Sequence, residues 1–274
     1  MQRRDFVLSS LALSLPLASS FAQTPQAAPA AQVNADWARL FEKAEVPGTL
    51  VVVDARGGAA RTLLHDPVRA ERRVSPASTF KIPHSLFALD AGLVRDEFQV
   101  FPWDGVQRAI PAWNRDQDLR SSVRDSAVWV FERFAGQLGT AREEAYMRKI
   151  DYGNCLATGA KPFWVEGDLA ISAHEQIWML RALHRNALPF QVEHQRLVKD
   201  IMVTEAGSQW ILRAKSGWSG SIGWWTGWME LAQGPVFFAL NIDTPRRQAD
   251  LPKRIEIVRE ALAGIDAWPA ARKS

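Results

Sequence analysis

With 274 residues, 47% of them hydrophobic and 23% charged, the chain reads as an ordinary globular protein, long enough for one large domain or two lobes sharing a core. The basic residues behind its net charge of +3 are scattered rather than gathered on one stripe, which argues against a nucleic-acid partner. Cys155 is the only cysteine, so an internal disulfide is excluded and the thiol reads as a small packing residue or a reactive group.

In chain order, Arg3 and Arg4 precede an uncharged run from Phe6 to Ala22 ending in Ser20-Phe21-Ala22, a small-x-small cleavage pattern. The run is too short to span a membrane. Residues 1–22 therefore read as a removed signal peptide and the compartment as the bacterial periplasm, with no stable membrane anchor once the signal is gone. Arg3-Arg4-Asp5-Phe6-Val7-Leu8 also has the form of a twin-arginine signal, an ordinary secretory signal being the alternative. Residues 23–34, rich in Ala, Pro and Gln, read as a linker, and residues 35–274 as a single domain.

A short helix is expected through Phe41-Glu42-Lys43, followed by a β-branched strand over Gly48–Asp54 and a hairpin partner over Thr62–His65. From Ser78 to about residue 200 the signals are helical. Val128, Phe131 and Phe134 recur at helical spacing, and Ser172 with Glu175 forms a capping box ahead of Ile177, Leu180 and Leu183. Three β-like runs, Gln209–Lys215, Gly223–Leu231 and Pro235–Asn241, are close enough for antiparallel hairpins, and a last helix covers about 252–263. The fold class is α/β of the α+β type: an antiparallel sheet from about 48–66 and 203–243, flanked by helices, with an inserted helical lobe over about 78–200.

Pro76-Ala77-Ser78-Thr79-Phe80-Lys81 sets a hydroxyl and an amine three residues apart at an expected helix start, on one helix face. A serine hydroxyl needs a neighbouring base to become a nucleophile. Lysine serves as that base when burial disfavours its charge, and Phe80, Ile82, Pro83, Leu86 and Phe87 supply apolar surroundings. The rival reading is a capping Ser75 or Ser78 followed by a solvated lysine. The five histidines show no metal-ligand spacing and G-x-S-x-G is absent, which argues against a zinc hydrolase and a lipase-type triad.

Ser126-Ala127-Val128, Tyr152-Gly153-Asn154 and Lys215-Ser216-Gly217 accompany the tetrad. Together they resemble the penicillin-recognising serine enzymes, and most closely the class D (oxacillinase-type) β-lactamases, from about residue 36 onward. The resemblance implies a serine β-lactamase/D,D-peptidase-like fold and β-lactam hydrolysis through acylation and deacylation of Ser78. It makes Lys81 the general base, N-carboxylated by CO2, with Trp164 hydrogen-bonded to the carbamate and Val128 packed near it. It assigns proton relay to Ser126, site-lining roles to Lys215, Ser216 and Gly217, and the oxyanion hole to the N–H groups of Ser78 and Trp218. Arg254 would pair with the substrate carboxylate. For Ser126 a helix N-cap, for Trp164 core packing and for Arg254 a solvated helix position remain alternatives. No cofactor beyond CO2 or bicarbonate and no metal is implied; the partners are small β-lactams, and the enzyme is a monomer or homodimer. The family usually has Lys-Thr-Gly, so Ser216 is a departure that bears on substrate preference. A slow-turnover penicillin-binding D,D-peptidase and a β-lactam sensor domain are the rival functions.

Overall fold

The computed structural model describes residues 31–269, so the expected signal peptide lies outside the described residues. The elements run β1 (Gln32–Val33), α1 (Ala38–Ala44), β2 (Gly48–Asp54), β3 (Arg61–His65), α2 (Pro67–Glu71), α3 (Lys81–Asp90), α4 (Leu119–Arg124), α5 (Val128–Leu138), α6 (Thr140–Lys149), α7 (Ala173–His184) and α8 (Val192–Ile201). They end with β4 (Val203–Ala206), β5 (Trp210–Trp218), β6 (Ile222–Leu231), β7 (Gly234–Asp243) and α9 (Lys253–Ala263). The seven-stranded sheet has the order β1-β3-β2-β7-β6-β5-β4 and is antiparallel apart from the β1–β3 pair.

Strand alternation divides the apolar residues between two cores. Along β2, Val51 and Val53 face the helical lobe, while Leu50 and Val52 face α1 and α9. The strand is buried along its whole length because it is covered on both faces. Helix α7 lies against β2, β6 and β7, and the expected capping box starts it: Ser172 Oγ accepts from Glu175 N, and Glu175 Oε2 accepts from Ser172 N.

Two expectations are corrected here. The linker stops short of residue 34, because Gln32 and Val33 pair with Leu63 and Leu64 and the Asn34 side chain caps the 3-10 turn at Ala35–Trp37. Two residues of backbone pairing carry no sequence periodicity, so composition hid them. The segment around Ser78 and Lys81 is also not one helix. Ala77–Phe80 is a 3-10 turn capped by Pro76 without a side-chain bond, and the α-helix begins at Lys81. Neither Ser75 nor Ser78 is its cap: Ser75 Oγ instead donates to the Trp164 and Val165 carbonyls, at 3.0 Å each.

Candidate active site

Ala77 sits at φ +48°, a left-handed conformation costing a non-glycine residue about 1–2 kcal/mol. Its side chain is fully buried, and the 3-10 turn that follows is tied down by Thr79, whose N–H and Oγ both donate to Pro76 O. Gln176 on α7 in turn donates to Thr79 Oγ1 at 2.7 Å. The strain is thus held in place by bonds around it. Beside it, Gly217 brings β5 against the turn: a Cβ there would stand 2.9 Å from Pro76 O and 3.2 Å from Ser78 N, so a side chain would push the strand off Ser78.

Lys81 Nζ lies 2.8 Å from Ser78 Oγ. Lys81 has no exposed surface, and its ammonium lies 5.1 Å from the Phe131 ring centroid. Burial first, and the nearby charge of Lys215 second, push its pKa well below the ordinary lysine value. Lys215, also buried, donates to Ser126 Oγ at 3.0 Å and to Ser216 O at 3.1 Å. Burial and then Arg254 bring its pKa down to about 7. Ser126 is not a helix N-cap, since Ala127 occupies that position and Ser126 stands before it at φ +59° with its hydroxyl turned to Lys215.

Arg254 is buried rather than solvated. Its Nη1 donates to Gly217 O at 2.7 Å and Nε to Leu251 O at 2.8 Å, and burial lowers its pKa to about 10. Lys215 and Arg254 thus stand together by the C-terminal half of β5, Arg254 reaching the Gly217 carbonyl from α9. Ladder alternation turns the Trp218 N–H toward the open edge of β5, since Ser219 N donates to Ile222 O and Ala214 N to Met202 O on the opposite side. The Trp218 indole is occupied elsewhere, donating to Thr244 Oγ1 at 3.1 Å. Ser216 is half-buried and falls on the other face of the pleat from Lys215 and Gly217.

Trp164 is buried, stacked on Phe80 with ring centroids 5.9 Å apart, and its Nε1 has no hydrogen-bond partner among the described residues. An indole offers one donor and no acceptor, and burying that donor unpaired is costly. Core packing alone leaves that donor unexplained. Val128 packs against the same core at the start of α5.

The Tyr152-Gly153-Asn154 motif carries no reacting atom. Gly153, at φ +56°, lies so close to Ala170 O that a Cβ would stand 2.1 Å away. Asn154 Nδ2 donates to Asp168 O and its Oδ1 accepts from Ala170 N. The motif closes the base of the loop that carries Trp164. Cys155 bonds weakly to the Tyr152 carbonyl, and burial first raises its pKa, which favours the inert thiol. Sequence reasoning missed Phe131 and His84. Both share the face that surrounds Lys81, and their signal was the i, i+3 spacing from Val128 and from Lys81.

Comparison with known proteins agrees with this geometry. Residues 48–263 match the penicillin binding protein transpeptidase domain. The chain is 58% identical over 237 residues to beta-lactamase OXA-2 of Salmonella typhimurium, with 86% of each chain covered. It is 42% identical over 251 residues to beta-lactamase OXA-48 of Klebsiella pneumoniae, covering 90% of this chain and 94% of that one. A crystal structure of the class D beta-lactamase YbXI from Nostoc superposes with a TM-score of 0.80 at 35% identity, covering 85% of this chain and 99% of the other. A serine and a depressed lysine in contact, on a transpeptidase-type sheet shared with these relatives, place the chain in the class D β-lactamases.

Proposed function

We propose that the protein hydrolyses β-lactams at Ser78, with Lys81 as its N-carboxylated general base. The observation that carries this is the 2.8 Å contact between Ser78 Oγ and a lysine whose burial favours the uncharged amine, the only form that attacks CO2. Two features support the modification: burial favours the uncharged form of Lys81, and Trp164 has a buried indole donor without a partner among the described residues. When formed, the carbamate supplies a carboxylate-like base for both acylation and deacylation.

In acylation, Ser78 Oγ forms a bond to the lactam carbonyl carbon and gives up its proton to the base. The N–H groups of Ser78 and Trp218 stabilise the oxyanion, and the C–N bond breaks as a proton reaches the nitrogen through Ser126, which Lys215 orients at 3.0 Å. Arg254, whose Nη1 lies 2.7 Å from Gly217 O, pairs with the substrate carboxylate. In deacylation, a water that loses its proton to the base attacks the ester and frees Ser78. We also propose export to the periplasm through residues 1–22; replacing Arg3 and Arg4 with lysine should block export on the twin-arginine reading, and unchanged export would exclude that route. Among the described residues no helix is long and apolar enough to cross a membrane.

Steady-state hydrolysis of a chromogenic cephalosporin, with and without bicarbonate, tests the central proposal on enzyme stripped of CO2 at low pH. Turnover restored by bicarbonate is expected. A stoichiometric burst without turnover would mark a β-lactam trap, and turnover indifferent to bicarbonate would remove the carbamate.

A further inference from the structure

One buried ionisable pair is left without a task by this chemistry. His84 follows Lys81 by three residues on α3, and its Nε2 lies 2.7 Å from Oε1 of Glu143 in the first turn of α6. Both side chains are sealed from solvent, at 0% and 1% exposure, so this is not a surface ion pair that happened to form. The contact is close but not aligned as a hydrogen bond, and none of His84 Nδ1 and Nε2 and Glu143 Oε1 and Oε2 has a hydrogen-bond partner among the described residues.

Burying such a pair is expensive, and an apolar pair of similar volume usually serves stability as well or better. What the 2.7 Å contact adds is attraction between the ring and the carboxylate, which keeps the imidazole seated against α6. That position matters here: His84 meets the Trp164 indole edge-on, with centroids 5.4 Å apart, and also packs on Phe80 and on Phe131, whose ring lies against Lys81 Nζ. Ala135, Gly136, Glu143, Pro162, Phe163 and Trp164 help line a cavity of about 380 Å³. A side chain beside a void stays aimed only if something on its other side holds it.

We propose that His84 and Glu143 are positioning residues for the general base: Glu143 locks the His84 ring, and the locked ring holds Trp164 Nε1 on the carbamate of Lys81. This rests on the carbamate reading. Its consequence is that CO2 affinity, and not only stability, depends on the pair.

The test is a titration of CO2-stripped enzyme with carbon-13 bicarbonate, reading the carbamate resonance by NMR alongside thermal melting. Glu143→Leu should raise the half-saturating bicarbonate concentration about tenfold, as removing the partner behind a ligand commonly does. Glu143→Gln keeps an oxygen for His84 and should stay within about twofold of wild type. Because Glu143→Leu strands a buried histidine and risks misfolding, the deciding variant is His84→Phe/Glu143→Leu, an apolar pair that keeps volume without that attraction; it should melt near or above wild type and still need about tenfold more bicarbonate. Wild-type half-saturation in that double variant would overturn the proposal while leaving the carbamate standing. Absence of the resonance from the wild-type enzyme would overturn both.

Discussion

Asp54 and the Lys81–Lys215 pair are both buried charges at strand or helix ends, yet they are treated in opposite ways. Asp54, at the end of β2, accepts from Arg56 through both carboxylate oxygens and from Arg61 Nε and Nη2, at 2.9–3.2 Å. Burial pulls its pKa up, but the hydrogen bonds from Arg56 and Arg61 outweigh burial and hold it at about 2. The two lysines have no carboxylate within ion-pair distance among the described residues; the cation that lowers Lys81 is Lys215, and the one that lowers Lys215 is Arg254. Burial with a full set of partners makes a clamp; burial without them makes a base. The same desolvation term is present in both, and the partners decide which outcome follows.

The largest effect should come from breaking the unpaired side. Lys81→Met keeps volume and removes the base, so turnover should fall at least about 10³-fold, while the CO2-free protein should melt no lower than wild type. Stopped-flow acylation and steady-state turnover on one preparation, with calorimetry, check both halves. Retained turnover would refute the assigned base. Ser126→Ala should act more mildly, lowering acylation about 10²-fold by removing the relay that Lys215 orients, with little change in melting. Arg254→Ala should act through KM first, because a planar donor to the substrate carboxylate is lost.

Asp54→Asn should invert this pattern. It leaves two arginines short of a charged acceptor and should lower stability by about 2 kcal/mol near neutral pH, with kcat unchanged. Denaturant titration beside a kinetic assay separates the two. A loss of kcat without a loss of stability would mean the clamp also shapes the site.

How far the sequence reached differs between these regions for a physical reason. The strand at Gly48–Asp54 and the capping box at Ser172 were legible because local chemistry specifies them. So was the Ser78–Lys81 contact, although a 3-10 turn and not a helix face delivers it, with strain at Ala77 that no propensity announces. Asp54 as a clamp was not legible, because its bonds depend on β2–β3 register and on how Arg56 and Arg61 fold back. Arg254 was assigned only through the family resemblance, because nothing local distinguishes it from a solvated helix residue; the α9 packing that buries it against the Gly217 carbonyl is tertiary. His84 and Glu143 are 59 residues apart in sequence and meet only because α3 and α6 share one aromatic core.

The finest distinction between the two kinds of buried charge is the direction in which each makes stability depend on pH. For Lys215 the folded pKa is about 7 against an ordinary 10.5, so between those values the unfolded chain binds more protons. Stability must then rise with pH across that window, and Lys81, also depressed, adds in the same direction. For Asp54 the folded value of about 2 lies below the ordinary 3.8, so its contribution is complete above 3.8 and is lost as pH falls through about 2. Comparing wild type with Lys215→Met in CO2-free buffer isolates the lysine. The difference in unfolding free energy should shrink by about 1 kcal/mol from pH 7 to 8, the variant gaining less than wild type as pH rises. A difference that does not move over that interval would mean Lys215 keeps its proton when folded, through water or a bound anion reaching it, and the unpaired half of the comparison would then rest on Lys81 alone.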